Sequence, residues 1–201
     1  PQRVRTQPRR VPRVAGMTPQ LRPSDRHVLL IGMMGAGKST VGALLAERLG
    51  RTFVDVDDLV EATAGRPVAE IFATDGEDAF RRLERSALAD ACVSPTPLVI
   101  ATGGGAMTDS ENRRVASRSA MVVWLQAAPG ALAARVAGVD GLGTASRPLL
   151  ASADPVATLE RLTILRSDAY AAVADVVVAT DDRSVEQVVD AVADAVADRR
   201  A

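Results

Sequence analysis

From His27 onward the chain alternates short apolar runs with segments of helical period. "HVLLIG" precedes a helix from Ser39. "TFVDVD" precedes a helix over Asp58–Ala64 and a longer one around "GEDAFRRLERSALADAC". "PLVIA" leads to a helix over Asp109–Arg118, and "AMVVWLQ" to a helix from Pro129. A glycine-bearing loop through Gly143, a helix over Pro155–Val173, the run "DVVVAT" and a helix from Ser184 complete the pattern. Val, Ile and Leu almost without interruption in strands set between helices imply a parallel sheet covered on both faces. The expectation is a three-layer α/β/α fold with five parallel strands and no internal repeat.

Residues 1–26 break this pattern. Five prolines and no apolar periodicity cannot bury enough surface to offset ordering entropy, so a disordered tail is expected, with residues 27–201 as the folded domain. The tail is either an upstream stretch before a start near Met17 or a basic arm for RNA or acidic lipid. It lacks the apolar core of a secretory signal. Seven arginines and one aspartate give it a net charge of +6, so the whole-chain value of −1 leaves −7 for the domain. An acidic domain argues against nucleic-acid binding. At 201 residues and 47% hydrophobic the chain can build one sizeable core. A single cysteine, Cys92, and no apolar run near the roughly 20 residues of a membrane span point to a soluble cytoplasmic protein, expected to be a monomer with no membrane partner.

The first strand runs into "GMMGAGKST", which satisfies G-x-x-x-x-G-K-[ST] between a strand and a helix, where a phosphate cradle needs to be. Glycines let backbone N–H groups curl round phosphate oxygens, and the helix N-terminus adds positive potential. Lys38 reaches the β- and γ-phosphates, and Ser39 offers a hydroxyl to Mg²⁺. Of 24 basic residues, 23 are arginine, so Lys38 is the sole lysine. A chain so biased keeps its one ammonium where a compact point charge is useful. With no second lysine, the N-K-x-D element of guanine-specific switches is absent.

Around the other strand ends lie the candidates for the acceptor. Asp55 and Asp57, two apart on an extended strand, face one side, so one carboxylate can serve a metal and the other a hydroxyl. The alternative is helix capping, a role that Asp58 fits better. Gly103, Gly104 and Gly105 follow a buried strand and suggest close approach of main chain to a ligand, or a plain loop. That strand does not end in the acidic residue of ATPase motors. Arg81 and Glu84, three apart on one helix face, allow the carboxylate to orient the guanidinium. Arg147 follows the "GVDGLGTAS" loop, and Arg166 stands in "LRSDAY". An arginine in each place can close over a charged substrate.

Taken as an ordered set, "GMMGAGKST", "FVDVDDLVE", "IFATDGEDAFRRLE", "TGGGA", "RPLL" and "RSDAY" resemble the shikimate kinases, in the nucleoside-monophosphate-kinase-like branch of P-loop proteins, over about residues 27–200. The resemblance implies ATP-dependent phosphorylation of the 3-hydroxyl of shikimate, giving shikimate 3-phosphate and ADP. It implies that Asp57, Arg81, the glycines Gly103, Gly104 and Gly105, and Arg166 hold shikimate. ATP would lie on Gly35, Ala36, Gly37, Lys38, Ser39 and Thr40, with Mg²⁺ on Ser39 and, through water, Asp55. Catalysis would rest on Lys38, Asp57 and Arg147, the last carried on a mobile lid over residues 139–153. Family members often place a basic residue shortly before the lid arginine to pack on adenine. No arginine occurs between Val136 and Ser146, which leaves Arg183 as the arginine near the base. Kinases of gluconate or of a nucleoside monophosphate are the runner-up readings, and a non-enzymatic ATP-binding regulator the third.

Overall fold

Five runs of aliphatic residues pair side by side, all parallel, in the order β2-β3-β1-β4-β5. The computed structural model describes residues 26–138 and 154–198. The strands are β1 (His27–Ile31), β2 (Thr52–Asp55), β3 (Leu98–Ala101), β4 (Ala120–Gln126) and β5 (Val176–Ala179). The helices are α1 (Lys38–Leu49), α2 (Val56–Ala64), α3 (Val68–Thr74), α4 (Glu77–Cys92), α5 (Ser110–Ser119), α6 (Pro129–Gly138), α7 (Pro155–Ala171) and α8 (Val185–Asp198), with a 3-10 turn at Ala106–Thr108. Every residue of β1 and β3 is buried, as is all of β4 except Gln126. Successive side chains of a strand point to opposite faces, so both faces of the sheet centre are covered, as the apolar runs implied. α1 packs on β3 beside α8, and α5 packs on β4 beside α4.

The differences from expectation lie at element ends and in one short helix. α3 went unexpected because seven residues with only Ile71 buried give no helical period to read. Its start is fixed by Glu61, whose carboxylate accepts from the Val68 N–H at 2.8 Å. α2 begins two residues before Asp58, since Asp55 and not Asp58 caps it. Arg26, assigned to the tail, belongs with the domain: its guanidinium donates to the carbonyls of Ser117 and Ala120. Residues 1–25 and the expected lid, with Arg147, lie outside the described residues. No helix among the described residues is long and apolar enough to cross a membrane.

His27, the only histidine, opens β1 and is 5% exposed. Its Nδ1 accepts from the Leu98 N–H at 3.0 Å, joining the starts of β1 and β3. Burial lowers its pKa below the ordinary 6.5, with the Arg51 charge acting the same way and a hydrogen bond to the Cys92 backbone opposing. The folded state therefore favours neutral imidazole. The resulting stability is complete above about pH 6.5 and is lost as pH falls toward the depressed folded value. The stability difference between wild type and His27→Gln, from denaturant unfolding, should accordingly shrink between pH 7.5 and pH 5. A difference independent of pH would refute this account of His27.

Candidate active site

All five parallel strands end on one side, and in open α/β sheets ligands bind in the crevice beyond those ends. Here a cavity of about 420 Å³ opens there. Its floor is the loop between β1 and α1, in which Gly35 and Gly37 take φ values of +80° and +91°, backbone that L side chains rarely adopt. The cavity is lined by this loop from Met34 onward and by Lys38, Ser39 and Thr40 in the first turn of α1. Lys38 Nζ donates to the carbonyls of Gly32 at 2.9 Å and Met33 at 3.0 Å, which lays the ammonium back along the loop.

The two aspartates reach the cavity by a different route from the one their spacing suggested. β2 ends at Asp55, which caps α2 by accepting from the Asp57 N–H at 3.1 Å, and Asp57 sits in the first helical turn. Strand alternation therefore does not relate them, yet both line the cavity. Asp58, in the same turn, is exposed. Ser39 Oγ donates to Asp55 Oδ2 at 2.7 Å, so a hydroxyl and a carboxylate from two elements meet beside the phosphate loop.

Behind them lies a buried charge cluster. Arg81, on α4, donates from Nη1 to Glu84 at 2.7 Å and from Nη2 to Glu77 at 2.9 Å. Glu84 is fully buried, and its Oε1 has no hydrogen-bond partner; Asp57 Oδ1 is likewise buried and unpaired. The two orphan oxygens converge on Gly103, where a Cβ would lie 2.6 Å from Glu84 Oε1 and 3.1 Å from Asp57 Oδ1. At Gly105 a Cβ would fall 2.4 Å from Arg81 Nη2. The glycine run thus makes room first for the protein's own charged side chains. From α7, Arg166 Nη1 donates to the Gly104 carbonyl at 3.0 Å.

Burial raises the Asp57 carboxyl to about 6, with the charges of Asp55 and Glu84 acting in the same direction and Lys38 and Arg81 opposing. Burial likewise raises Glu84, against the pull of Arg81. A carboxylate near neutrality beside a phosphate loop can accept a proton from a hydroxyl.

At the far end of the cavity stand Arg183 and, unforeseen, Arg135. Arg135 lies one residue before the arginine-free stretch, on α6, and donates to Thr180 Oγ1 at 2.8 Å and to the Thr180 carbonyl at 2.7 Å. Its place is set by the fold bringing α6 to the end of β5, which spacing along the chain does not reveal.

The site's parts are those of a phosphotransferase, and the family model for shikimate kinase matches residues 34–197. The chain belongs to the shikimate kinase family. It is 49% identical to the shikimate kinase of Symbiobacterium thermophilum over 81% of this chain and 91% of that one. The shikimate kinase of Nitrobacter winogradskyi is 44% identical over 83% of this chain and 75% of its own. Among solved structures, shikimate kinase from Acinetobacter baumannii in complex with shikimate matches with a TM-score of 0.81 at 32% identity, over 87% of this chain and 94% of that one. A gluconokinase from Sinorhizobium meliloti matches with a TM-score of 0.61 at 21% identity, over 87% and 93%, and shares the fold. As a shikimate kinase family member the chain is an ATP-dependent phosphotransferase of the shikimate pathway.

The Asp57 geometry gives a stability prediction for this family member. Its folded pKa lies above the ordinary 3.8, so the ionised carboxylate opposes folding at neutral pH, and that penalty fades as pH falls through 6. Asp57→Asn should raise stability at pH 7.5 by about 1–2 kcal/mol in the absence of ligands. Equal or lower stability in denaturant unfolding would contradict the strained environment inferred for Asp57.

Proposed function

We propose that the protein transfers the γ-phosphoryl group of ATP to the 3-hydroxyl of shikimate, releasing shikimate 3-phosphate and ADP. The observation that carries this reading is that two unpaired carboxylate oxygens, Asp57 Oδ1 and Glu84 Oε1, and the guanidiniums of Arg81 and Arg166 gather round one glycine run. Unpaired buried acceptors call for hydroxyl donors, and arginine forks call for a carboxylate. A small ring acid with vicinal hydroxyls supplies both.

In this reading the loop Gly35–Gly37 and the first turn of α1 hold the triphosphate. Lys38 turns from the Gly32 and Met33 carbonyls onto phosphate oxygens, replacing neutral acceptors with charged ones. Asp57 orients the attacking hydroxyl and accepts its proton at Oδ1 or Oδ2. Arg147, outside the described residues, would add a guanidinium to the phosphates. Arg135 and Arg183 flank the adenine. The Ser39 hydroxyl and the Asp55 carboxylate, 2.7 Å apart, are hard oxygen donors that suit Mg²⁺, with Asp55 behind a water. Bound there, the ion would neutralise phosphate charge.

A coupled ADP-release assay over shikimate, gluconate, a nucleoside monophosphate and no acceptor tests the assignment. Turnover is expected with shikimate alone; turnover with gluconate in its place would overturn the reading. Arg81→Lys, which loses the fork, should cut kcat/KM for the acceptor about tenfold or more while ATP affinity is kept. Equal damage to both affinities would move Arg81 out of the acceptor site. Asp57→Asn should abolish turnover with ATP still bound, whereas Asp55→Asn should raise the magnesium concentration needed and spare acceptor affinity. Rescue of Asp57→Asn by excess magnesium would reverse the two roles.

A further inference from the structure

We propose that Tyr170 is a positioning residue for phosphoryl transfer, its hydroxyl holding the glycine loop of the acceptor side in register with the phosphate loop. The proposal rests on the functional reading above and deepens it.

Tyr170 lies in the last turn of α7 and is 1% exposed. Its ring packs on Trp124 of β4, with centroids 5.4 Å apart and planes tilted by 58°. Its hydroxyl donates to the Gly104 carbonyl and lies 3.6 Å from Met33 Sδ. Arg166, one helical turn earlier, reaches the same two atoms, 3.0 Å from the Gly104 carbonyl and 3.9 Å from Met33 Sδ. Residues four apart share a helix face, so α7 presents two donors to one carbonyl and one thioether. That carbonyl belongs to the acceptor loop, and the thioether belongs to the phosphate loop.

The two loops touch at this point. A Cβ at Gly104 would stand 3.4 Å from the Met34 N–H nitrogen and 3.5 Å from the Gly32 carbonyl. The sheet brings the loops together with no side chain between them, and α7 grips both from one side. Arg166 has a second task, because its guanidinium is needed by the acceptor's carboxylate. Tyr170, itself hydrogen-bonded to Arg166, faces no ligand group, and burial pushes its phenol up to about 12, so it stays a neutral donor across the working range of pH. When a ligand engages Arg166, Tyr170 keeps the Gly104 carbonyl paired and the loop in place. In-line transfer is sensitive to sub-ångström changes in the distance between acceptor and phosphate, and that distance spans this contact.

Tyr170→Phe is the test, since phenylalanine preserves the ring, its volume and its packing on Trp124 while removing the hydroxyl. On wild-type protein that turns over shikimate, the variant should lose about tenfold in kcat and raise acceptor KM two- to fivefold, with the Kd of ATP measured alone within twofold. Met33→Leu, which leaves Tyr170 in place and removes only the thioether, should lower kcat two- to fivefold, and the double variant should lose less than the product of the two. Wild-type kcat and KM in Tyr170→Phe would overturn the proposal. So would a lower melting temperature with unchanged kinetics, which would leave Tyr170 a packing residue. Failure of the wild type to use shikimate would instead strike the functional reading.

Discussion

The central strand is the constraint on which the rest depends. β1 is hydrogen-bonded on one side to β3 and on the other to β4, with Leu30 level with both Ala101 and Val123. A strand in this position has no face or edge left for water, so it is all apolar apart from His27, which is paired. The registers then bring the exits of β1 and β3 level. The Thr102 N–H continues the ladder to the Leu30 carbonyl at 3.2 Å, and the phosphate loop and the glycine run leave the sheet as neighbours. The two loops are adjacent because of a strand order, with residues 32 and 104 brought together across 72 positions of sequence.

Charge placement at that junction works against stability. Glu84 is fully buried, and although Arg81 pairs with one oxygen the other has none, while Asp57 has a second orphan oxygen nearby. An unsatisfied buried acceptor costs about 1–3 kcal/mol, and a buried ion pair rarely recovers its desolvation. A core optimised for stability alone would place apolar residues here. On the function proposed above, the arrangement would serve as a pre-organised surface whose unmet hydrogen bonds a hydroxylated ligand completes with little reorganisation.

Much of this was readable from residue order, for reasons that differ between parts. The strands announced themselves because burial on both faces removes polar alternation, and the phosphate loop because few residue types can form it. Arg81 was legible with Glu84 through helical spacing, and Arg166 through its motif. Asp55 and Asp57 share the cavity wall, but not for the reason their spacing suggested, since a capping side chain ended β2 before strand alternation could relate them. Arg135 and Tyr170 were invisible because their contacts are with partners far along the chain, Thr180 and Gly104, that only the folded sheet brings near. Helix α3 was missed because one buried residue in seven carries no period.

The single lysine has a practical consequence for chemistry done on the molecule. In these 201 residues Lys38 supplies the only ε-amine, and it lines the cavity with its nitrogen held by the Gly32 and Met33 carbonyls. Amine-selective acylation or reductive methylation, which elsewhere scatters labels over a protein's surface, here meets one side-chain nitrogen, and that nitrogen is at the phosphate loop. An isotope-labelled methyl group carried on it would be the sole lysine reporter of the loop's occupancy, to be told apart only from the α-amino terminus.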